Sequence, residues 1–167
     1  MLTSGGTESV LLAALAHREE VYARGVTRAE IIASSTAHPA IHKAAFYFGM
    51  DLRLVHPDSG TLRLRREDVE PFCNPATALI YASAPSFAHG VVDDVQGLAE
   101  LASLHRCGLH VDNCLGGVLL QHLKYAGLLR KGGDAEVAAE ALRIPGVTSV
   151  SVDLHKYGYC SKGVSAV

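Results

Sequence analysis

The sequence lacks the features that mark several common classes of protein. No apolar run reaches the roughly 18 residues of a transmembrane helix, and the first residues do not follow the charged-then-apolar order of a signal peptide. The formal net charge is only −2, and the basic residues are scattered, so no nucleic-acid partner is indicated. With 167 residues, 49% of them hydrophobic, the chain can form one core and is one domain or part of one.

Disulfide and metal spacings are also absent. The four cysteines (Cys73, Cys107, Cys114 and Cys160) follow no C-x-x-C or disulfide pattern, so we expect reduced thiols and a cytoplasmic setting. A membrane anchor outside these residues is left open. The crowding of His105, Cys107, His110, Asp112 and Cys114 permits a metal site if three of them share one strand face. We expect no metal, because the paired ligands of a closed site are missing.

What the sequence does contain is an alternation of strands and helices. Strands are predicted at 30–34, 51–56, 77–83, 109–112 and 148–152, and helices at 8–24, 39–48, 95–107 and 118–129, with weaker helices at 65–69 and 135–142. Gly116-Gly117 is expected to form a hinge before its helix, and no strand is expected before the glycines at residue 5. This alternation predicts an α/β fold with a mostly parallel sheet and helices on both faces.

Polar residues follow the predicted strands at the points where those strands end. His38, Ser83, Ser86, Asp112 and Lys156 all occupy such exits. The carboxyl ends of parallel strands share one edge of the sheet, and ligands usually bind there. We therefore expect these residues to lie around one site.

Lys156 follows the strand at 148–152 and is the candidate nucleophile. A partly desolvated lysine loses some of its proton and can attack a carbonyl group. The alternative is a solvated loop cation, which is what most lysines are. We expect a nucleophile because of the residues around it.

Two further stretches suggest partners for such a lysine. Gly5-Gly6-Thr7 opens a predicted helix, where free amides and the helix dipole favour an anion, although a plain helix start would look the same. Asp112 ends an apolar strand, and a buried carboxylate there needs a cationic partner. A helix cap or a surface aspartate is the alternative for Asp112.

Three blocks of sequence resemble one enzyme family in the same order. They are Thr3-Ser-Gly-Gly-Thr-Glu-Ser9, His110-Val-Asp-Asn-Cys-Leu-Gly-Gly117 and His155-Lys-Tyr-Gly-Tyr-x-x-Lys-Gly163. They resemble the group II decarboxylase superfamily of fold-type I pyridoxal 5'-phosphate (PLP) enzymes, and the third block is most similar to its sphingosine-1-phosphate lyase branch. The likeness runs through essentially the whole chain. It implies the large PLP-binding domain of the aspartate aminotransferase fold, with an N-terminal part and a small C-terminal domain missing from residues 1–167.

The resemblance also implies roles for individual residues. Lys156 would hold PLP as a Schiff base, Asp112 would face the ring nitrogen, and Gly5, Gly6 and Thr7 would bind the phosphate. His38 matches the histidine that stacks on the ring.

Four further positions have implied roles on the phosphate side or near the ring. His155 matches the histidine that reaches the phosphate, and Asp153 would order that side of the pocket. Lys162 matches a second lysine that binds substrate or tunes the Schiff base. Either Ser83 or Ser86 would contact the ring hydroxyl, and no choice between them is made. His89 also matches a family position, without an assigned role.

The implied activity is a PLP-dependent carbon–carbon lyase that cleaves a phosphorylated sphingoid base to a long-chain aldehyde and phosphoethanolamine. An amino-acid decarboxylase of the same superfamily is an alternative, and both would take a small-molecule amine. A catalytically silent truncated domain is the third possibility. The family places its active site between two subunits, so a homodimer of the full-length protein is expected.

Overall fold

Seven strands form the centre of the protein. The computed structural model describes all residues from 1 to 167, and its strands are β1 Leu2–Thr3, β2 Glu30–Ser34, β3 Asp51–Val55, β4 Thr77–Ser83, β5 Gly108–Asp112, β6 Ser149–Asp153 and β7 Ser165–Ala166. They form one sheet in the order β1-β7-β6-β5-β4-β2-β3. The strands from β6 to β3 in this order pair in parallel, whereas β7 runs antiparallel to both β6 and β1. The predicted α/β fold with a mostly parallel sheet is confirmed.

Six helices connect the strands. They are α1 Gly6–Ala23, α2 Ala40–Phe48, α3 Arg66–Val69, α4 Val95–His105, α5 Gly116–Tyr125 and α6 Asp134–Ala139, and short 3-10 turns lie at Glu70–Phe72 and Ala141–Arg143. None of them combines the length and the apolar character that a bilayer-spanning helix requires.

The sheet is buried on both faces by two separate hydrophobic clusters. On β2, Ile31 belongs to the cluster that contains α1 and α2, and its neighbour Ile32 belongs to the cluster that contains α4, α5 and α6. Successive side chains of a strand point to opposite faces, so a continuous apolar run is what a doubly covered strand requires. The five residues of β2 are all buried.

Gly116 and Gly117 do not form the predicted hinge. They are the first residues of α5, which ends at Tyr125 rather than at residue 129. A Cβ on Gly116 would lie 2.1 Å from the carbonyl oxygen of Ala84, and a Cβ on Gly117 would lie 2.6 Å from Cγ2 of Val152. The two glycines therefore let the start of α5 pack directly against the end of β4 and against β6.

The expectation that no strand precedes the glycine turn is wrong. The two-residue strand β1 pairs with β7, with Leu2 opposite Ala166 and Thr3 opposite Ser165. The Thr3 hydroxyl also lies 2.7 Å from the hydroxyl of Ser9 in α1. These contacts fix the turn between β1 and α1 at the edge of the sheet where β6 also ends.

Candidate active site

A cavity of about 530 Å³ opens at the carboxyl edge of the parallel strands. Every residue predicted from the sequence to catalyse or to bind the cofactor lines this cavity, with the single exception of Ser86. A second cavity of about 510 Å³ lies beside α5 and contains none of those residues. Volume does not distinguish the two cavities. The candidate site is identified by the residues that line the first one.

The structure distinguishes the two serines that the sequence left open. Ser83 lines the cavity. Ser86 is buried behind it, its amide donates to the carbonyl of Val91, and its hydroxyl has no partner. Ser83 is therefore the serine whose side chain a ligand in this cavity can reach. His89, in the same loop, is exposed and does not line the cavity.

The start of α1 forms one wall of the cavity. No side chain caps this helix, and the first amides of a helix have no partner within it. A Cβ on Gly6 would lie 2.6 Å from Sγ of Cys114 and 3.0 Å from Oδ1 of Asp153, so only glycine brings the main chain this close. Glu8 accepts hydrogen bonds at 2.6 Å from both the amide and the hydroxyl of Ser4, which fixes the turn. Such a helix start suits a bound anion.

Lys156 is held by an ion pair with Asp153. Its Nζ lies 2.8 Å from Oδ2 of Asp153, whose side chain is only 3% exposed. Burial alone would lower the pKa of Lys156, but the hydrogen bond and the charge of Asp153 raise it above its ordinary value. The predicted loss of the proton by desolvation is therefore wrong for this state, because a nearby carboxylate outweighs burial. The lysine is an ammonium ion here.

Asp153 is itself held by several neighbours. Ser165 of β7 donates a hydrogen bond of 2.6 Å to Oδ1, and Nε2 of His155 lies 3.6 Å from Oδ2. Burial would raise the pKa of Asp153, but the hydrogen bonds from Lys156 and Ser165 outweigh burial and lower it. Nδ1 of His155 lies 3.0 Å from the carbonyl of Val164, so this ring nitrogen donates and the imidazole is fixed in orientation.

Asp112, at the end of the neighbouring strand β5, is held only by neutral donors. Its Oδ1 accepts from the amide of Cys114 at 3.1 Å and from the hydroxyl of Ser151 at 3.3 Å. Its Oδ2 accepts from the hydroxyl of Tyr81. No lysine, arginine or histidine forms an ion pair with Asp112, although Asp153 has two such neighbours. A carboxylate that lines a cavity without a counter-ion is suited to a cationic ligand group.

A buried histidine lies behind Asp112. Nε2 of His110 is 3.1 Å from the hydroxyl of Ser151, and Nδ1 is 2.8 Å from the hydroxyl of Ser149. Burial lowers the pKa of His110 to about 4, although the charge of Asp112 acts in the opposite direction. The ring is therefore neutral near neutral pH. No group of three or more His, Cys, Asp or Glu side chains with a metal-binding arrangement occurs in the structure.

His38 lines the cavity from the loop after β2. The amide of Ala40 donates to Nδ1 of His38 at 3.1 Å, and the ring meets that of Phe87 edge-on at 5.3 Å. These two contacts fix the plane of the imidazole.

Sequence reasoning missed the residues that hold the two carboxylates. Tyr81, Ser151 and Ser165 were not singled out. A partial signal exists for Ser151, because it lies two residues before Asp153 and so points to the same face of β6. Tyr81 and Ser165 contact the acids across neighbouring strands, and only the strand register brings them together.

The fold and the cavity define a class. This is an α/β domain with a cavity for a small ligand at the carboxyl edge of a parallel sheet, lined by an uncapped helix start, a lysine and a carboxylate without a counter-ion.

The comparison with protein families identifies which member of that class it is. Residues 1–167 match the family described as the pyridoxal-dependent decarboxylase conserved domain, and the chain belongs to that family. The family indicates pyridoxal phosphate as the cofactor, as the sequence predicted.

Within this family, the chain is similar to sphingosine-1-phosphate lyases. The chain is 45% identical to sphingosine-1-phosphate lyase of Saccharomyces cerevisiae and 41% identical to sphingosine-1-phosphate lyase 1 of Rattus norvegicus, over 99% of its own length in each case. It spans only 27% and 28% of the lengths of those two relatives.

Solved structures agree with this likeness. The sphingosine-1-phosphate lyase of Burkholderia pseudomallei superposes with a TM-score of 0.89 at 38% identity, over 98% of this chain and 36% of that one. Glutamate decarboxylase of Lactobacillus brevis superposes with a TM-score of 0.82 at 21% identity, over 99% of this chain and 38% of that one. The second likeness shows the fold alone.

The residues present fit the cofactor. PLP carries a phosphate dianion, an aldehyde and a basic ring nitrogen. The uncapped helix start beside Gly6, the amine of Lys156 and the uncompensated carboxylate of Asp112 provide one complementary group for each. All three line the same cavity.

Proposed function

We propose that the protein is part of a PLP-dependent carbon–carbon lyase. Its substrate would be a phosphorylated sphingoid base, cleaved to a long-chain aldehyde and phosphoethanolamine. The proposal is supported by the lyases that match at 45% and 41% identity. Residues 1–167 would form part of the large PLP-binding domain of the complete enzyme.

A single observation supports the cofactor site most strongly. Lys156 and Asp112 line one cavity, and Asp112 has three neutral donors and no cation. A carboxylate that lines a cavity without a positive partner is suited to a ligand group that supplies one. A protonated ring nitrogen is such a partner.

The residues that line the cavity would have different roles towards the cofactor. Oδ2 of Asp153, 2.8 Å from Nζ of Lys156, would hold the lysine in place at the cavity, and the ammonium group would have to lose its proton before the amine could attack an aldehyde. His38, whose plane is fixed by Ala40 and Phe87, would lie against the cofactor ring. Gly6 and the free amides of α1 would bind the phosphate, with His155 beside them.

Bound PLP supplies an electron sink that weakens a bond at the amine-bearing carbon of the substrate. In the proposed cleavage the bond between carbons 2 and 3 breaks, carbon 2 retains the electron pair and gains a proton, and the hydroxyl on carbon 3 loses its proton to become the aldehyde. Lys162 lines the cavity and is a candidate contact for the substrate phosphate. An amino-acid decarboxylase remains the alternative activity within the family.

The test of the cofactor site uses the purified chain, added PLP and absorbance spectroscopy. We expect a new absorbance band with the unmodified chain, and after borohydride reduction one pyridoxyl phosphate group on the peptide that contains Lys156. Lys156→Ala should give neither. Lys162→Ala is the matched control, because it removes a second lysine from the same cavity, and it should retain the modification on Lys156.

Substrate class is tested separately with the complete enzyme. A phosphorylated amino alcohol should yield aldehyde, and an amino acid should yield no carbon dioxide. The reverse result would assign a decarboxylase. If the complete enzyme turns over a substrate but residues 1–167 alone do not, the truncated chain is a catalytically silent domain.

A homodimer of the complete protein is also proposed. Phe46 and Tyr47 on α2 are 84% and 61% exposed, and exposed neighbouring aromatics are common in interfaces. Sedimentation of the complete protein, compared with a variant that carries serine at both positions, measures whether this face contributes.

A further inference from the structure

We infer that Tyr81 is a positioning residue that holds the carboxylate of Asp112 in place and leaves it a single acceptor position for a cationic ligand group. The inference rests on the proposed function, because it concerns how Asp112 is prepared for the ring nitrogen of PLP.

Tyr81 occupies the centre of the sheet. It lies on β4, is fully buried, and is paired with His110 on β5. From there its hydroxyl donates to Oδ2 of Asp112, two residues further along β5. Burial and the charge of Asp112 raise the pKa of Tyr81 well above its ordinary value, so the phenol remains a donor.

Counting acceptor positions shows what Tyr81 leaves free. The two oxygens of a carboxylate offer about four lone-pair positions. The Cys114 amide and the Ser151 hydroxyl use the two on Oδ1, and Tyr81 uses one of the two on Oδ2. One position on Oδ2 remains, which matches one N–H of a ligand.

The hydrogen bonds from Ser149 through His110 and Ser151 to Asp112 all run in the same direction. The Ser151 hydroxyl donates to Asp112, so Nε2 of His110 must donate to Ser151, and Nδ1 must accept from Ser149. Every proton in this chain of side chains points towards the carboxylate. Together with Tyr81, these donors leave the remaining lone pair of Asp112 free to accept from a ligand N–H.

The test compares two ligands that differ at one atom. PLP and its analogue with a C–H group in place of the ring nitrogen are titrated into the purified chain, and binding is followed by absorbance. Tyr81→Phe should weaken PLP binding by roughly tenfold, since a hydrogen bond to a charged group is lost. Binding of the analogue should be nearly unchanged, because it presents no N–H to Asp112.

Tyr22→Phe is the matched control. Tyr22 packs against the same hydrophobic cluster as Tyr81, and its hydroxyl makes no hydrogen bond, so this variant should bind both ligands as the unmodified chain does. Ser151→Ala removes a donor from the other oxygen and should shift the ratio of the two affinities in the same direction as Tyr81→Phe.

Three results would overturn the inference. Equal weakening of both ligands by Tyr81→Phe would show that the hydroxyl only supports the fold. No weakening of PLP would show that Asp112 needs no such donor. Failure of the unmodified chain to bind PLP would contradict the proposed function itself, and the first two results are distinguishable from it because they require PLP to bind.

Discussion

Asp112 and Asp153 end neighbouring parallel strands and line the same cavity, but they are neutralised in opposite ways. Asp153 has its counter-ion within the chain, in Lys156 at 2.8 Å. Asp112 has only the hydroxyls of Tyr81 and Ser151 and an amide. The difference shows which half of the site is electrostatically complete and which half depends on a ligand. The two acids should therefore respond differently to substitution.

Asp112→Asn should have the largest effect on ligand binding. We expect PLP affinity to fall by roughly 100-fold, because a carboxamide cannot neutralise a ring cation and a charged hydrogen bond is lost. Stability without ligand should change by less than about 1 kcal/mol, since the Tyr81 hydroxyl can turn to accept from the amide. Absorbance titration and urea unfolding measure the two quantities. PLP binding of normal strength by this variant would mean that no cation is bound at Asp112.

A third acid, Asp93, shows how burial changes a carboxyl pKa when main-chain amides are the only hydrogen-bond donors to it. Its oxygens accept from the amides of Leu64 at 2.9 Å and Ser83 at 2.7 Å, and burial, partly opposed by these bonds, raises its pKa to about 6. The folded state therefore holds this proton more tightly than the unfolded state, whose pKa is close to 3.8. The stability from this group is present below about pH 4 and is lost as the pH rises to about 6, by up to about 3 kcal/mol.

Asp93→Asn removes that titration. The difference in unfolding free energy between the unmodified chain and the variant should change between about pH 4 and pH 6, to the disadvantage of the unmodified chain at the higher pH. Urea unfolding at several pH values in this range measures this difference. Titration of the histidines affects both proteins equally and therefore cancels in the difference. A difference that does not vary with pH would contradict the assigned pKa.

The next largest effect on stability is expected for Asp153→Asn. We expect a loss of about 2 kcal/mol, because Lys156 and Ser165 lose a charged partner that is nearly fully buried. The pKa of Asp153 is lowered, so its stabilisation is present above its ordinary value of 3.8 and is lost as the pH falls below that value. The variant should therefore lack part of the acid unfolding transition. Unfolding by urea at neutral pH and by acid, followed by circular dichroism, measures both effects, and an unchanged acid midpoint would count against the ion pair.

The smallest expected effect is in Ser165→Ala. It removes one donor at 2.6 Å from Asp153 but leaves Lys156 in place, so we expect a loss of about 1 kcal/mol. Ser86→Ala, which removes a buried hydroxyl without a partner, is the control and should not destabilise the protein. Equal losses in the two variants would mean that the contact with Asp153 contributes nothing specific.

The sequence predicts the fold and most of the cavity lining for one physical reason. Apolar runs of strand length with helices between them require a parallel sheet, and a parallel sheet collects its strand exits at one edge. His38, Ser83, Asp112 and Lys156 were found in this way. The resemblance to the family added Asp153, His155 and Lys162.

Contacts across the sheet could not be predicted, because they depend on register. The hydroxyl of Tyr81 reaches Asp112 only because Ser83 and Asp112 are paired residues of β4 and β5. The raised pKa of Lys156 was missed for a similar reason, since its sign depends on one distance to Asp153. The glycines of α5 were misassigned because helix propensity opposes them, whereas close packing against Ala84 and Val152 requires them.

The pairing of β5 with β6 has a consequence for the ligands that the cavity can hold. Asp112 lies opposite Ser151, and Asp153 follows two residues later on the adjacent strand. Adjacent strands are about 4.8 Å apart, and two residues advance a strand by about 6.6 Å. The main chains that carry the two acids are thus kept at a fixed offset by backbone hydrogen bonds. The distance between the Asp112 carboxylate and the Asp153–Lys156 pair is therefore set by the sheet, and a ligand must match that distance to contact both.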